Sequence, residues 1–140
     1  MKYWIIPSND NIFNIDHAIS ANGGLVDWRI SNIFSVGDIA FIYKTSPYRC
    51  IRYKTEVIKI GFYDKDTLVQ EAFWTDKKIY YSGLGSSKYV RLKLIETIND
   101  EVLSLYNLRK FGLKGNIQSV QGINNEKLLS FILNPNEILD

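Results

Sequence analysis

The order of patterns along the chain predicts an α+β fold: a small, curled, mixed β-sheet or barrel flanked by short helices. Three observations carry this. Residues 50–60 and 89–97 alternate apolar and polar side chains with the period of half-exposed strands. The connections near them are short turns, Val36-Gly37-Asp38 and Ser46-Pro47-Tyr48. Helical spacing is confined to one segment near the start and to the last third.

In chain order, Tyr3-Trp4-Ile5-Ile6-Pro7 reads as a short buried strand ended by Pro7, with Trp4 in the core. Ser8, Asn9 and Asp10 are all good helix N-caps. Ile12, Ile15 and Ile19, with Phe13 beside them, then follow helical spacing, which predicts a helix over about 10–20, stopped by Asn22-Gly23-Gly24. Residues 25–36 are expected to be irregular and to carry Trp28, flanked by Asp27, Arg29 and Ser31. Ile39 to Tyr43 is an apolar strand, and the turn at 46–48 joins it to the 50–60 strand as a hairpin. Residues 67–73 and 78–81 are further strand candidates. In 89–97, Arg91 and Lys93 fall on one face and Leu92 and Leu94 on the other. Helices are expected near 100–111 and 124–133, the second stopped before Pro135.

A length of 140 residues predicts one domain spanning 1–140, and 46% hydrophobic with 23% charged residues fits a soluble globular chain. Several chemistries are excluded. With one cysteine, Cys50, no intrachain disulfide forms. With one histidine, His17, a structural zinc site of about four Cys/His ligands cannot be built. Neither a metal nor a cofactor is expected, and any serine- or cysteine-based catalysis would have to use His17 as its base. No run approaches the ~20 apolar residues of a membrane span, and the start does not resemble a signal peptide. A cytoplasmic protein is expected.

Aromatic residues reach 14%, with three Trp, nine Tyr and seven Phe, which suits flat-ligand sites as well as cores. The net charge is only +2. Its distribution is uneven, however: residues 39–63 hold five basic residues against one acidic, and 77–93 hold five against none. If these segments meet, they form one positive face on a nearly neutral body.

The residues Tyr3-Trp4-Ile5-Ile6-Pro7-Ser8, then Asp27-Trp28, then Val36-Gly37-Asp38-Ile39-Ala40-Phe41-Ile42-Tyr43 together resemble an EVE domain of the PUA-like superfamily, which is related to the YTH readers. Tyr89-Val90-Arg91-Leu92, Leu105-Tyr106-Asn107-Leu108 and Ile117-Gln118-Ser119-Val120 extend the likeness. The resemblance implies a partly closed barrel flanked by helices, with a pocket that receives a modified base in DNA or RNA, often by flipping it out. It also implies an association with restriction of modified DNA, beside a nuclease domain or subunit.

The residue chemistry nominates a site of the same kind. Flat walls are needed: Trp28 is the leading one, and Trp74, Tyr43, Tyr80 and Tyr81 compete for the second. Ser8, Asn9 and Thr45 can address a base edge, although Ser8 and Asn9 equally suit a helix cap. Lys44, Arg49, Arg52, Lys54, Lys88 and Arg91 are candidates for backbone phosphates. The loop Ser82-Gly83-Leu84-Gly85-Ser86-Ser87-Lys88 lacks P-loop spacing and is expected to be a flexible segment touching a DNA or RNA backbone. Asp38 reads as a turn-stabilising side chain. The expectation is a non-catalytic module that recognises a modified cytosine or adenine, with DNA favoured. The alternatives are an RNA-binding PUA-like domain indifferent to modification, and a small-molecule-binding protein.

Overall fold

In the computed structural model, which describes residues 1–30 and 33–139, Tyr3–Ser8 (β1) and Ile39–Lys44 (β3) run parallel inside a six-stranded sheet. Their near-continuous apolar sequences follow from this position, because a strand covered on both faces has no polar side. Trp4, Ile6, Ala40 and Ile42 face one core; Ile5, Phe41 and Tyr43 face the other. The strand order is β2-β5-β4-β3-β1-β6, with Leu25–Arg29 as β2, Cys50–Phe62 as β4, Tyr89–Thr97 as β5 and Gln121–Gly122 as β6. Every pairing except β1 with β3 is antiparallel, so the sheet is mixed, and it stays open with β2 and β6 at its edges. The α+β class and the hairpin of β3 with β4 stand as expected. β4 bends the sheet: it slips register against β5 at Lys54/Thr55, Val57/Lys59 and Ile60/Phe62, and each bulge adds twist.

Several elements differ from the sequence-based expectation. The helix expected over 10–20 is Ile15–Ala21 (α1), capped by Asn14, whose side chain accepts from the His17 N–H. Ser8, Asn9 and Asp10 therefore do not cap it. Asn9 instead closes a turn, its Oδ1 accepting from the Asn11 N–H at 2.9 Å, which frees Phe13 to bridge to Trp74. Residues 25–29 form β2 rather than an irregular segment, because β5 supplies their ladder; the expected loop positions Ser31 and 32 lie outside the described residues. Residues 67–73 form no strand: both sides of β5 are already taken, and Val69 stays exposed. Residues 78–81 belong to a helix, Lys77–Ser82 (α2), because Asp76 accepts from the Ile79 N–H at its start. The C-terminal third holds Leu105–Lys110 (α3), Glu126–Leu133 (α4) and Pro135–Leu139 (α5). Pro135 does end α4, but it also opens α5 from the first helical position, where its missing N–H costs nothing.

Trp4 is core, and its Nε1–H donates to Asp38 Oδ2 at 2.9 Å. Asp38 also accepts from the backbone N–H groups of Lys2 and Ser35. Burial pushes the Asp38 carboxyl up, but these three hydrogen bonds outweigh it and leave the group below its ordinary value. Asp16 is burdened by burial yet lowered by Lys44 and Tyr53, and Asp64 likewise by Tyr89 and the Gly85 N–H. A lowered carboxylate contributes stability that is present above about pH 4 and is lost as the pH falls further. Tyr89 is raised to about 12 by burial and by its bond to Asp64; Tyr53 is raised by burial and by Asp16; and Lys44, despite burial, is raised by Asp10 and Asp16. Their contribution is present below about pH 10 and is lost above it. The expected melting profile is flat between these limits and falls on both sides. Asp38→Asn should lower stability by about 2 kcal/mol at neutral pH and flatten the acid limb. An unchanged acid limb in thermal melts would show that Asp38 does not govern it.

Candidate functional site

A cleft of about 910 Å³ opens where the parallel strands β1 and β3 end. That is the upper part of the ~300–1,000 Å³ range typical of ligand pockets. Pro7 and Asn9 enter it from the end of β1, Tyr43 and Thr45 from the end of β3, and Asp27, Trp28 and Arg29 from β2. The turn after β1 adds Asn11, Ile12 and Phe13, and Trp74 and Ile79 close that side. Across from them stand Arg49, Arg109, Asn116 and Gln118. The parallel pair makes this place: the chain leaves both strands on the same side, and a crevice forms beyond their carboxyl ends.

The aromatic end is a cluster and not an open slot. Phe13 lies edge-on to Trp28 at 5.4 Å and to Trp74 at 5.1 Å, nearly perpendicular to both rings. The two tryptophans therefore do not face each other across an empty gap; Phe13 fills it. Trp28 is half-buried and lines the cleft, while Trp74 is 8% exposed and its Nε1–H donates to Gln70 Oε1 at 3.1 Å. The Arg29 guanidinium lies 4.4 Å from the Trp74 ring centre, and donates to Tyr89 Oη at 2.8 Å and to the Ile79 and Tyr80 carbonyls. It pins α2 against the sheet. The same pin restrains the glycine and serine loop: a Cβ added at Gly83 would sit 2.5 Å from Arg29 Nη1, and Asp64 accepts from the Gly85 N–H. That loop is tethered, contrary to its flexible reading.

Of the expected base-binding residues, Asn9, Trp28, Tyr43, Thr45 and Trp74 meet in the cleft. Ser8 is buried with its Oγ unpartnered and is not among the lining residues. Tyr81 is 52% exposed on α2 and outside the lining.

Of the expected phosphate contacts, Arg49 alone lines the cleft. Lys44 is buried and held by Asp10 at 2.8 Å and by Asp16 at 2.7 Å, so its ammonium is already neutralised. Arg91 pairs with the buried Asp27, its Nε 2.8 Å from Oδ1 and its Nη2 3.0 Å from Oδ2. Arg52 donates to the Ile98 carbonyl at 2.6 Å and to Cys50 Sγ. These three cations stabilise the fold and are not free to meet a backbone. Lys54 lies opposite Glu96 on the sheet, and Lys88 stands near Tyr63, both away from the lining. Two cations of the positive face expected from segment counts, Lys44 and Arg91, are thus neutralised by acids distant in the sequence.

Arg49 follows the hairpin turn with φ 53°, the left-handed region that residues other than glycine or asparagine enter at a cost of about 1–2 kcal/mol. Its backbone is tied by the Leu105 N–H, which donates to the Arg49 carbonyl at 2.9 Å. Arg109 reaches from α3 to the Gly115 carbonyl at 3.0 Å and to Asn116 Oδ1 at 2.6 Å, and so draws the 115–118 segment to the cleft wall. Sequence reasoning missed Phe13, Asn11, Arg109, Asn116 and Gln118 as site residues. The run Asn9-Asp10-Asn11 was the available signal for a turn in place of a helix; the Arg109 bridge has no local signature. Cys50 is buried, and that burial pushes its thiol up, which disfavours a thiolate nucleophile. Among the described residues no group of three His, Cys, Asp or Glu could hold a metal ion, and no helix is long and apolar enough to cross a membrane.

A mixed sheet with a central parallel pair, short helices on its faces and a cleft at the strand ends defines the PUA-like fold of EVE and ASCH domains. Solved structures with this fold match almost the whole chain. They include an ASCH protein from Zymomonas mobilis (TM-score 0.66, 16% identity, 95% of each chain covered) and Rpa0253 from Rhodopseudomonas palustris (TM-score 0.65, 15% identity, 100% of this chain and 96% of that one). Human THYN1, solved in complex with DNA containing 5-methylcytosine, matches with a TM-score of 0.65 at 14% identity over 98% of each chain. No family model matches the chain, and no curated protein matches it.

Proposed function

We propose that this chain is a non-catalytic reader of a modified base in nucleic acid, with DNA favoured, and that the base is flipped into the cleft. The observation that carries the proposal is the cleft itself: an aromatic end at Trp28, amide side chains at Asn9, Asn11, Asn116 and Gln118, and two arginines opposite. Aromatic faces stack any base, and amides offer donors and acceptors to its edge. The fold shared with THYN1, solved on DNA containing 5-methylcytosine, supports the same reading. In a modification-dependent restriction system this module would choose the site, and another domain or subunit would cut. An RNA-binding domain indifferent to modification would use the same cleft with equal affinity for modified and plain bases.

The test is a titration of the purified chain with oligonucleotides, single- and double-stranded, carrying modified or unmodified cytosine and adenine. Preference for one modified base is expected. Equal binding of all members would sink the proposal. Because Lys44, Arg52 and Arg91 are committed within the fold, the salt dependence should be shallow. With about two phosphate contacts on a single strand, the slope of log K against log salt is expected near −1.4. A slope of −4 or steeper would mean that the binding surface lies elsewhere.

A further inference from the structure

The cleft is larger than a base needs, and its two ends differ in chemistry. The tryptophan end is flat and apolar. At the other end stand the Tyr43 ring, buried to 3% exposure, and the side chains of Arg49 and Arg109. Building on the reader proposal, we infer that Tyr43, Arg49 and Arg109 form a phosphate subsite inside the cleft, so that its minimal ligand is a whole nucleotide and not a base.

Three observations carry this. Among the described residues the Tyr43 hydroxyl and the Arg49 guanidinium have no hydrogen-bond partner, although the other arginines of the cleft are engaged. Arg109 is oriented by Gly115 and Asn116, so its guanidinium is positioned before any ligand arrives. Among the described lining residues Asp27 is the one carboxylate, and it is spent on Arg91 at the far side. Two cations and a hydroxyl donor therefore line a cleft whose one carboxylate among the described lining residues is already paired. Arginine suits a phosphate because its fork delivers paired, charge-assisted hydrogen bonds. Burial pushes the Tyr43 phenol up against the opposing pull of the Arg49 and Arg109 charges, and the net shift is upward, so the hydroxyl remains a donor at neutral pH. The left-handed backbone of Arg49 fits as well: a position that favours glycine carries a long cation instead.

The test compares nucleosides with nucleotides on the full chain by calorimetry. The probes are 2′-deoxycytidine and 5-methyl-2′-deoxycytidine, each with and without a 5′- or 3′-phosphate, and inorganic phosphate as competitor. A phosphate on either side is expected to tighten binding roughly tenfold. Arg49→Gly and Arg49→Asn both tolerate the left-handed backbone; each should erase the phosphate advantage, keep nucleoside affinity, and leave the melting temperature unchanged or raised. Tyr43→Phe, which keeps the ring and removes the hydroxyl, should reduce the phosphate advantage. Equal affinity for nucleoside and nucleotide in the unmodified chain overturns the inference, as does an Arg49 variant that weakens both alike. Preference for the methylated base, read from the same titrations and from oligonucleotides, tests the reader proposal separately. Oligonucleotide binding with base preference but no phosphate advantage would remove the subsite alone.

Discussion

Asp27→Ala is expected to destabilise the fold by about 3–5 kcal/mol, as breaking a buried ion pair on one side does. The Asp27 side chain is 0% exposed, and Arg91, its partner, is 19% exposed. Removing the carboxylate leaves a largely desolvated guanidinium and strips the Leu68 N–H of an acceptor held at 2.7 Å. The melting temperature should drop by roughly 10 °C or more for a chain of this size. Arg91→Ala should also be costly, and the double variant should lose clearly less than the sum, because the two residues share one interaction. Strict additivity in denaturant melts would show that the pair is not coupled. Arg91→Ala should thus appear as a folding defect, not as a loss of one phosphate contact.

Trp28→Ala should weaken binding of the preferred oligonucleotide by about 1–3 kcal/mol, the usual cost of losing one base stack. It should also lower stability, by about 2 kcal/mol, since full truncation of a buried aromatic costs ~3–5 kcal/mol and Trp28 is half-buried against Phe13 and the core. An isolated loop tryptophan would leave stability untouched; the strand position makes the second loss part of the expectation. Melts and titrations on one sample separate the effects. If binding of the fraction that stays folded is unchanged, Trp28 is packing alone, and the stacking surface must be sought at Tyr43.

The contrast at Asp27-Trp28 shows why some of this protein was legible in its sequence and some was not. Local periodicity is enough where a segment's own pattern decides its environment. The alternation of residues 50–60 and 89–97, the turn at Val36-Gly37-Asp38, the core position of Trp4 and the helix before Pro135 were all readable for that reason. The mixed α+β architecture followed from their order. Asn9, Trp28, Tyr43, Thr45, Trp74 and Arg49, which line the cleft, could be nominated because aromatics and turn polar groups stand out against such a pattern.

What the sequence could not decide depended on partners far along the chain. β2 is a strand because β5 pairs with it and because Arg91 answers Asp27 across 64 positions. Lys44 looks like a surface cation until Asp10 and Asp16 close over it. Phe13 looks like a helix residue until Asn14 takes the cap and Trp74 bridges to it. Charge and hydrophobicity are properties of a residue, and the sequence displays them. Whether a charge is free or already neutralised, and whether a ring is a wall or a wedge, depends on what the folded chain places within a few ångströms.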